Sequence, residues 1–257
     1  MTWLPVDRTG HVNPTDLARA IQPHTVLISV IYGQSEVGTL QPIEQLGAIA
    51  RARGVLFHTD AVQVAGRLPL NMQTLPVDLL SLSRHKLYGP QGAGALYVRP
   101  GVDLLPLLGG GGQERGYRSG TQAVANLAGF GVAAELAAAE MPSETVRLIQ
   151  LRDRLFRQLA DVPGLEITGH PRDRLPHHAS FCVTAADGDT VSGKTLVRQM
   201  NLAGIGISAG SACHSGKLSP SLILQAMGYR DRHALCGSRL TVGRHTTLAD
   251  VDWTAMV

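Results

Sequence analysis

The residues with the clearest chemical potential are a lysine and an aspartate that follow two strand-like segments. Lys86 stands in the run Ser-Arg-His-Lys-Leu-Tyr-Gly-Pro after the apolar stretch 77–82, and Asp60 ends the earlier strand-like segment. A lysine at a strand end can form a Schiff base with an aldehyde cofactor, while a neighbouring carboxylate keeps a pyridine nitrogen protonated. Together they predict a pyridoxal phosphate site. Either segment alone is more typical of a solvated strand end or a structural His-x-Asp pair.

The composition limits the class of protein. The chain has 257 residues, 44% of them hydrophobic, which is enough for a buried core. Its net charge of +3 is spread along the sequence and aromatic residues make up only 4%, so we expect no nucleic-acid partner. Uncharged apolar segments fall short of the roughly 20 residues that span a bilayer, and the N-terminus has no hydrophobic signal core. We therefore expect a soluble, cytoplasmic protein without a membrane partner.

The cysteines and histidines give weaker signals. The three cysteines cannot all pair and form no Cys-x-x-Cys element, which favours a reducing compartment. Cys182 lies in an apolar strand-like segment and is expected to be buried, whereas the surroundings of Cys236 leave its burial open. The ten histidines show no metal-ligand spacing, so we expect no metal site. Most of them, the pair His177-His178 included, are interpreted as satisfied or surface residues.

The order of the predicted elements indicates an α/β fold. Strand-like segments at 25–32, 55–58, 77–83 and 92–98, with an amphipathic helix at 41–53, predict a mostly parallel sheet with helices on both faces. We assign residues 1–140 to this large domain and residues 141–257 to a small α+β domain. An alanine-rich helix from about 123 towards 159, interrupted near Pro142, is expected to connect them. The C-terminus is expected to lack a closing helix.

Three motifs in this order resemble a known family. They are the Ser-x-His-Lys-x-Tyr-Gly-Pro run around Lys86, the Arg-Ser-Gly-Thr element ending at Thr121, and the Gly-Ser-Ala-Cys-His-Ser-Gly loop around Cys213. The chain resembles cysteine desulfurases of the class-V aminotransferase family over nearly its whole length. The resemblance implies a pyridoxal 5'-phosphate enzyme of aminotransferase fold type I whose large domain is incomplete here.

The resemblance also implies roles for the residues near Lys86. Lys86 would carry the cofactor and move the substrate α-proton. Asp60 would pair with the pyridine nitrogen, and Gln63 would hydrogen-bond the ring oxygen. Ser83 and His85 would contact the phosphate.

Three further residues acquire roles from the same resemblance. Thr121 is similar to the residue that reaches the phosphate in a partner subunit, which implies a homodimer. Ser35 aligns with a family asparagine near the ring oxygen and has a shorter reach. Arg239 resembles the arginine that clamps the substrate carboxylate, which suits its bidentate fork, although an ordinary surface arginine at a strand start would look similar.

Cys213 is the implied sulfur acceptor. Its thiolate would take the sulfur of L-cysteine, leaving an enzyme persulfide and L-alanine, and an acceptor protein such as an iron–sulfur scaffold or a sulfur carrier would follow. Gly210 and Gly216 suit a mobile loop, and His214 or Lys217 would favour the thiolate. A cystine or selenocysteine lyase on the same scaffold needs the lysine without this cysteine.

The resemblance is incomplete at the N-terminus. Family members carry a long additional segment before the position of Met1, with a glycine-led phosphate-binding turn and a histidine that stacks over the cofactor ring. We therefore expect the chain to be a fragment or a truncated product. Loss of neighbouring strands would expose sheet edges. A further alternative is accordingly a catalytically incompetent remnant that acts as a subunit.

Overall fold

A computed structural model describes residues 1–184, 190–210 and 219–257, and within these ranges it contains two four-stranded sheets. In the first sheet β1 (Leu27–Ile31), β2 (Leu56–Asp60) and β3 (Leu79–Ser83) run parallel, and β4 (Gly94–Val98) is antiparallel to β3. The sequence-based prediction of a mostly parallel sheet is confirmed. Because the carboxyl ends of β2 and β3 lie at the same edge, the segments after them meet there.

Two helices cover the first sheet. α1 (Pro14–Ala20) begins where the Asn13 side chain accepts the backbone N–H of Thr15, and α2 (Ile43–Ala52) follows β1. α2 presents one apolar face to the sheet, as its spacing predicts. The core between these layers consists of fully buried apolar side chains: Ile43, Leu46, Ala50, Phe57, Val64, Val77 and Leu80.

The second sheet is antiparallel and confirms the predicted α+β character of the C-terminal part. Its strands lie in the order β5 (Leu165–Ile167), β6 (His178–Val183), β8 (Gly237–Thr241) and β7 (Ser208–Ala209). The accompanying helices are α4 (Gly193–Leu202), α5 (Leu222–Ala226), α6 (Asp231–Ala234) and α7 (Leu248–Met256). Cys182 is buried, as predicted. Cys236, whose burial the sequence left open, is also buried.

A helix at the C-terminus corrects one expectation. α7 closes the described chain, and it begins with a capping box in which Thr247 and Asp250 satisfy each other's backbone N–H groups. The spacing Thr-x-x-Asp is the sequence signal that predicts such a start. Val251 packs on this helix's inner face beside Leu148 of the long helix described next.

The long helix α3 (Val124–Gln158) continues through Pro142, so the predicted interruption is wrong. Contacts at both ends hold it in one piece: its N-terminal half lies against the turn after β3, and Leu148, Leu151 and Leu155 are buried against the second sheet. Tertiary packing of this kind overrides the local effect of a proline. The proposed boundary between residues 140 and 141 falls inside this helix and stays a prediction.

α3 is unusually long and apolar. By length and hydropathy alone this helix would be able to cross a membrane, with a mean hydropathy of 1.2 over its most apolar window. Core helices of soluble proteins pass the same test, but only 6% of this window is buried. Arg147 on its C-terminal half donates to the backbone carbonyl oxygens of Gly243 and Thr246, so this half is committed to contacts within the protein.

A buried arginine, Arg84, anchors the turn that follows β3. The side chain of Arg84 is fully buried, and its guanidinium donates to the backbone carbonyl oxygens of Pro90, Gln91 and Asn126. No carboxylate among the described residues pairs with it. Arg84 therefore ties the turn after β3 to the following loop and to α3.

We expect Arg84→Met to lower the free energy of unfolding by about 3 kcal/mol, because three backbone carbonyl groups lose hydrogen bonds from a buried charge. Urea denaturation measures this loss. Arg53→Met is the matched control, since Arg53 is exposed and should cost less than about 0.5 kcal/mol. Equal losses in the two variants would contradict the anchoring role.

Candidate functional site

A cavity of about 290 Å³ lies at the carboxyl edge of the first sheet, where the second sheet packs against it. Side chains from both parts of the chain line it. Five of the residues predicted from the sequence are among them: Ser35, Gln63, His85, Lys86 and Arg239. The structure thus brings together residues that are far apart in the chain, in the position where open α/β sheets bind ligands.

Lys86 owes its position to the short 3-10 turn Arg84–Leu87 that follows β3. Arg84 and Leu87 are buried, so the two residues between them, His85 and Lys86, face outward and are exposed. Tyr88 ends the turn in the left-handed region with φ of 62°. This local geometry presents an amine at the mouth of the cavity, as the sequence predicts.

Asp60 lies on the neighbouring strand. It ends β2 and is in register with Ser81 of β3, and its carboxylate accepts the backbone N–H of Val62 at 2.9 Å. The side chain is half-buried beside the cavity and is not among its lining residues. Burial lowers the pKa of nearby His58, an effect that the charge of Asp60 opposes.

Three other predicted residues differ in their relation to the cavity. The Ser83 hydroxyl lies 2.8 Å from Nδ1 of His85, so the two predicted phosphate contacts are neighbours, although only His85 lines the cavity. Thr121 is exposed and lies outside the lining. Cys213 falls outside the described residues, together with His214 and Lys217.

Ser35 and Arg239 meet through a backbone group. One Nη of Arg239 donates to the carbonyl oxygen of Ser35 at 2.7 Å, and Nε2 of His178 lies 3.0 Å from the same oxygen. The sequence-based prediction assigned a role to the Ser35 hydroxyl, whereas its carbonyl makes these contacts. Arg239 is half-buried, and burial lowers its pKa.

Among the lining residues that the sequence analysis missed, four carry titratable side chains: Arg67, Tyr88, His177 and His178. Arg67 donates to the Tyr88 hydroxyl at 2.9 Å, and the position of Tyr88 two residues after Lys86 was the available signal. The interpretation of the pair as satisfied or surface residues is wrong for His177, and for His178 it holds only at Nε2, which bonds the Ser35 carbonyl oxygen. Both are buried, and Nδ1 of each has no hydrogen-bond partner among the described residues.

The charges around the cavity favour an anionic ligand. Arg67, Lys86 and Arg239 are cations, and among the described residues no lining side chain is a carboxylate. Burial, followed by the repulsion of Arg67, Arg239 and Lys86, lowers the pKa of His177 to about 3, so this imidazole stays neutral. An exposed amine beside several cationic and neutral donors fits an aldehyde cofactor that carries a phosphate.

Comparison with known proteins identifies similar sequences. Residues 1–253 match the model of the family described as aminotransferase class-V. The chain is 43% identical to cysteine desulfurase IscS of Methanosarcina thermophila over 98% of its own length and 61% of that relative. It is 42% identical to IscS of Dictyoglomus turgidum over 99% of its length and 64% of the relative. The chain thus spans less than two thirds of the length of these relatives.

Solved structures agree with the sequence matches. A NifS-like protein shares 33% identity with a TM-score of 0.88, covering 99% of this chain and 66% of that one. A NifS-like protein from Rickettsia africae gives the same TM-score at 27% identity, covering 98% and 67%. SspA, solved in complex with cysteine, is 33% identical with a TM-score of 0.78, covering 94% and 65%. The fold is that of type I pyridoxal phosphate enzymes.

The two buried histidines predict a loss of stability in mild acid. Burial depresses the pKa of both His177 and His178 in the folded state, so the unfolded chain takes up protons first as the pH falls below about 6.5. Their contribution is complete above that pH and is lost below it. From pH 7.5 to 5.5 we expect the free energy of unfolding to fall by about 2.5 kcal/mol.

Urea denaturation at the two pH values measures this fall. His177→Gln removes one of the two groups and should halve it, because each histidine contributes about 1.3 kcal/mol over the interval. An unchanged fall in His177→Gln would show that other groups cause the acid sensitivity.

Proposed function

Because the chain belongs to the class-V aminotransferase family, whose members use pyridoxal phosphate, we propose that it forms the catalytic part of a cysteine desulfurase. One observation carries this proposal. The cavity gathers Lys86, His85, Gln63 and Arg239, and the part of its lining that the structure describes holds no carboxylate. The matched relatives named cysteine desulfurase support the choice of reaction.

The residues at the sheet edge would hold the cofactor, which when bound supplies an electron sink for the substrate α-carbon. Lys86 Nζ would bind its aldehyde carbon and later accept and return the α-proton. Asp60 would hold the proton on the pyridine nitrogen, and Gln63 would donate to the ring oxygen. Ser83 and His85 would contact the phosphate, and Ser35 would lie near the ring.

Arg239 would bind the carboxylate of L-cysteine. One of its donors is engaged by the Ser35 carbonyl, and the rest of its guanidinium borders the cavity. A guanidinium matches a carboxylate with two parallel hydrogen bonds. The similarity to SspA in complex with cysteine supports this choice of substrate.

Cys213 would accept the sulfur. Its thiolate attacks the sulfur of the bound L-cysteine, the carbon–sulfur bond breaks, and the β-carbon takes a proton, which gives a Cys213 persulfide and L-alanine. The persulfide would pass to an acceptor protein such as an iron–sulfur scaffold or a sulfur carrier. We also propose a cytoplasmic homodimer in which Thr121 reaches the partner's site.

The first test concerns Lys86. Incubation with pyridoxal phosphate should produce the visible absorbance of a lysine Schiff base, and borohydride should fix the cofactor to the peptide that contains Lys86. We expect Lys86→Ala to abolish both signals. Lys194→Ala, which removes an exposed lysine of α4, is the matched control and should retain them. Cofactor fixed mainly elsewhere would refute the assignment.

The second test concerns the sulfur step. Cys213→Ala should reduce alanine formation from L-cysteine by at least about 100-fold, because the other two cysteines, Cys182 and Cys236, are buried. The Lys86 absorbance should remain. Cys236→Ala serves as the control, since Cys236 is buried. Undiminished sulfur release in Cys213→Ala, with cystine or selenocysteine as the better substrate, would favour the lyase.

The exposed surface of the first sheet supports a second candidate, a subunit that is incompetent alone. Two leucines on the outer strands, Leu27 on β1 and Leu96 on β4, are about half exposed, at 47% and 50%. Size-exclusion chromatography of the isolated chain with pyridoxal phosphate distinguishes the candidates. A compact dimer that retains the cofactor would refute the subunit hypothesis, whereas aggregation without cofactor binding would favour it.

A further inference from the structure

The carbonyl oxygen of Ser35 joins the two parts of the protein at the cavity. It lies in the loop between β1 and α2, and it accepts hydrogen bonds from Arg239 on β8 and from His178 at the start of β6. No sequence pattern singled out this contact. The two donors belong to the second sheet, and the acceptor belongs to the loop that follows β1 of the first sheet. This carbonyl therefore helps to fix the position of the second sheet relative to that loop.

The surroundings of His178 define its tautomer. A carbonyl oxygen only accepts, so Nε2 must carry the hydrogen that lies towards Ser35. Nδ1 is buried and has no partner among the described residues. Burial also places the pKa of His178 well below its ordinary value, so the imidazole is a neutral donor.

The same loop is shaped to receive this imidazole. Gly38 has φ of +77°, and a Cβ at this position would lie 2.6 Å from Nδ1 of His178. The loop is held from the same side by Ser180, whose hydroxyl donates to the carbonyl oxygen of Val37 at 3.1 Å. His178 thus occupies a space that the backbone of the loop leaves open for it.

We infer that His178 is a positioning residue for Arg239: by fixing the Ser35 carbonyl, it sets the direction of the guanidinium that faces the cavity. The inference rests on the proposed function where it concerns the substrate, since Arg239 would bind the carboxylate of L-cysteine. The Nε2–H of His178 is engaged by the Ser35 carbonyl oxygen. Its effect passes through the shared oxygen atom.

A first measurement needs neither cofactor nor activity. Phenylglyoxal modifies arginines, and mass spectrometry of the peptides gives the rate at each one. In His178→Leu we expect modification of Arg239 to accelerate about fivefold, because loss of the hydrogen bond frees the carbonyl that restrains the guanidinium. Arg67 in the same cavity should keep its rate and serves as the internal reference.

Three further variants separate positioning from a general loss of structure. His178→Gln keeps an N–H donor of similar reach and should restore the slow rate at Arg239. Ser35→Ala leaves the backbone carbonyl in place and should also keep the slow rate of modification at Arg239. His177→Leu removes the neighbouring buried imidazole, which does not bond Ser35, and should not accelerate Arg239. Acceleration in all three variants, or none in His178→Leu, would overturn the inference.

Steady-state kinetics then test the connection with the substrate. His178→Leu should raise KM for L-cysteine about tenfold and change kcat by less than about threefold, since a misdirected Arg239 weakens carboxylate binding more than the chemical step. His178→Gln should recover most of the affinity. If no variant turns over cysteine while the phenylglyoxal pattern holds, the proposed reaction fails and the positioning role stands. A fall in kcat alone would contradict positioning.

Discussion

The contact between the loop at residues 34–38 and the second sheet is the constraint on which the cavity depends. Ser35 accepts from two side chains of that sheet, and Gly38 accepts the backbone N–H of Leu175 at 2.8 Å. These bonds place Arg239 opposite the edge where Lys86 emerges. Without them the first sheet would still present its carboxyl edge and Arg67, but the guanidinium of Arg239 would not face it.

The centre of the first sheet is packed in a buried core, whereas its outer strands β1 and β4 each have an unpaired edge among the described residues. Among the described residues β1 pairs only with β2, and β4 only with β3, so each presents one free edge. Free edges beside exposed apolar groups, such as Val26 and Leu96, pair readily with other strands. The site therefore rests on a sheet whose centre is well packed and whose borders are suited to further polypeptide.

Local patterns in the sequence predicted the strands and the positions of Asp60 and Lys86, because alternation of apolar segments and the ends of parallel strands are local properties with a fixed geometric outcome. The burial of His177 and His178 was beyond such reasoning. The loop at residues 34–38 packs against His178, and Arg67 and Lys86 lie near His177, so both environments come from parts of the chain distant in sequence. Continuation of α3 through Pro142 has the same origin, since packing against both sheets compensates for one missing hydrogen bond.

Burial has two opposite effects on the positive charge of this cavity. It strengthens the repulsion between cations, and it keeps His177 neutral. Cations at positions 67, 86 and 239 repel one another, and the partial burial of Arg67 and Arg239 makes that repulsion stronger. The neutral state of His177 keeps a further positive charge out, so burial of the imidazole limits the total. An entering anion relieves the repulsion that remains, and its binding energy is larger because the cationic groups are already held in place by Tyr88 and the Ser35 carbonyl. The cavity thus selects for negative charge before any specific contact forms.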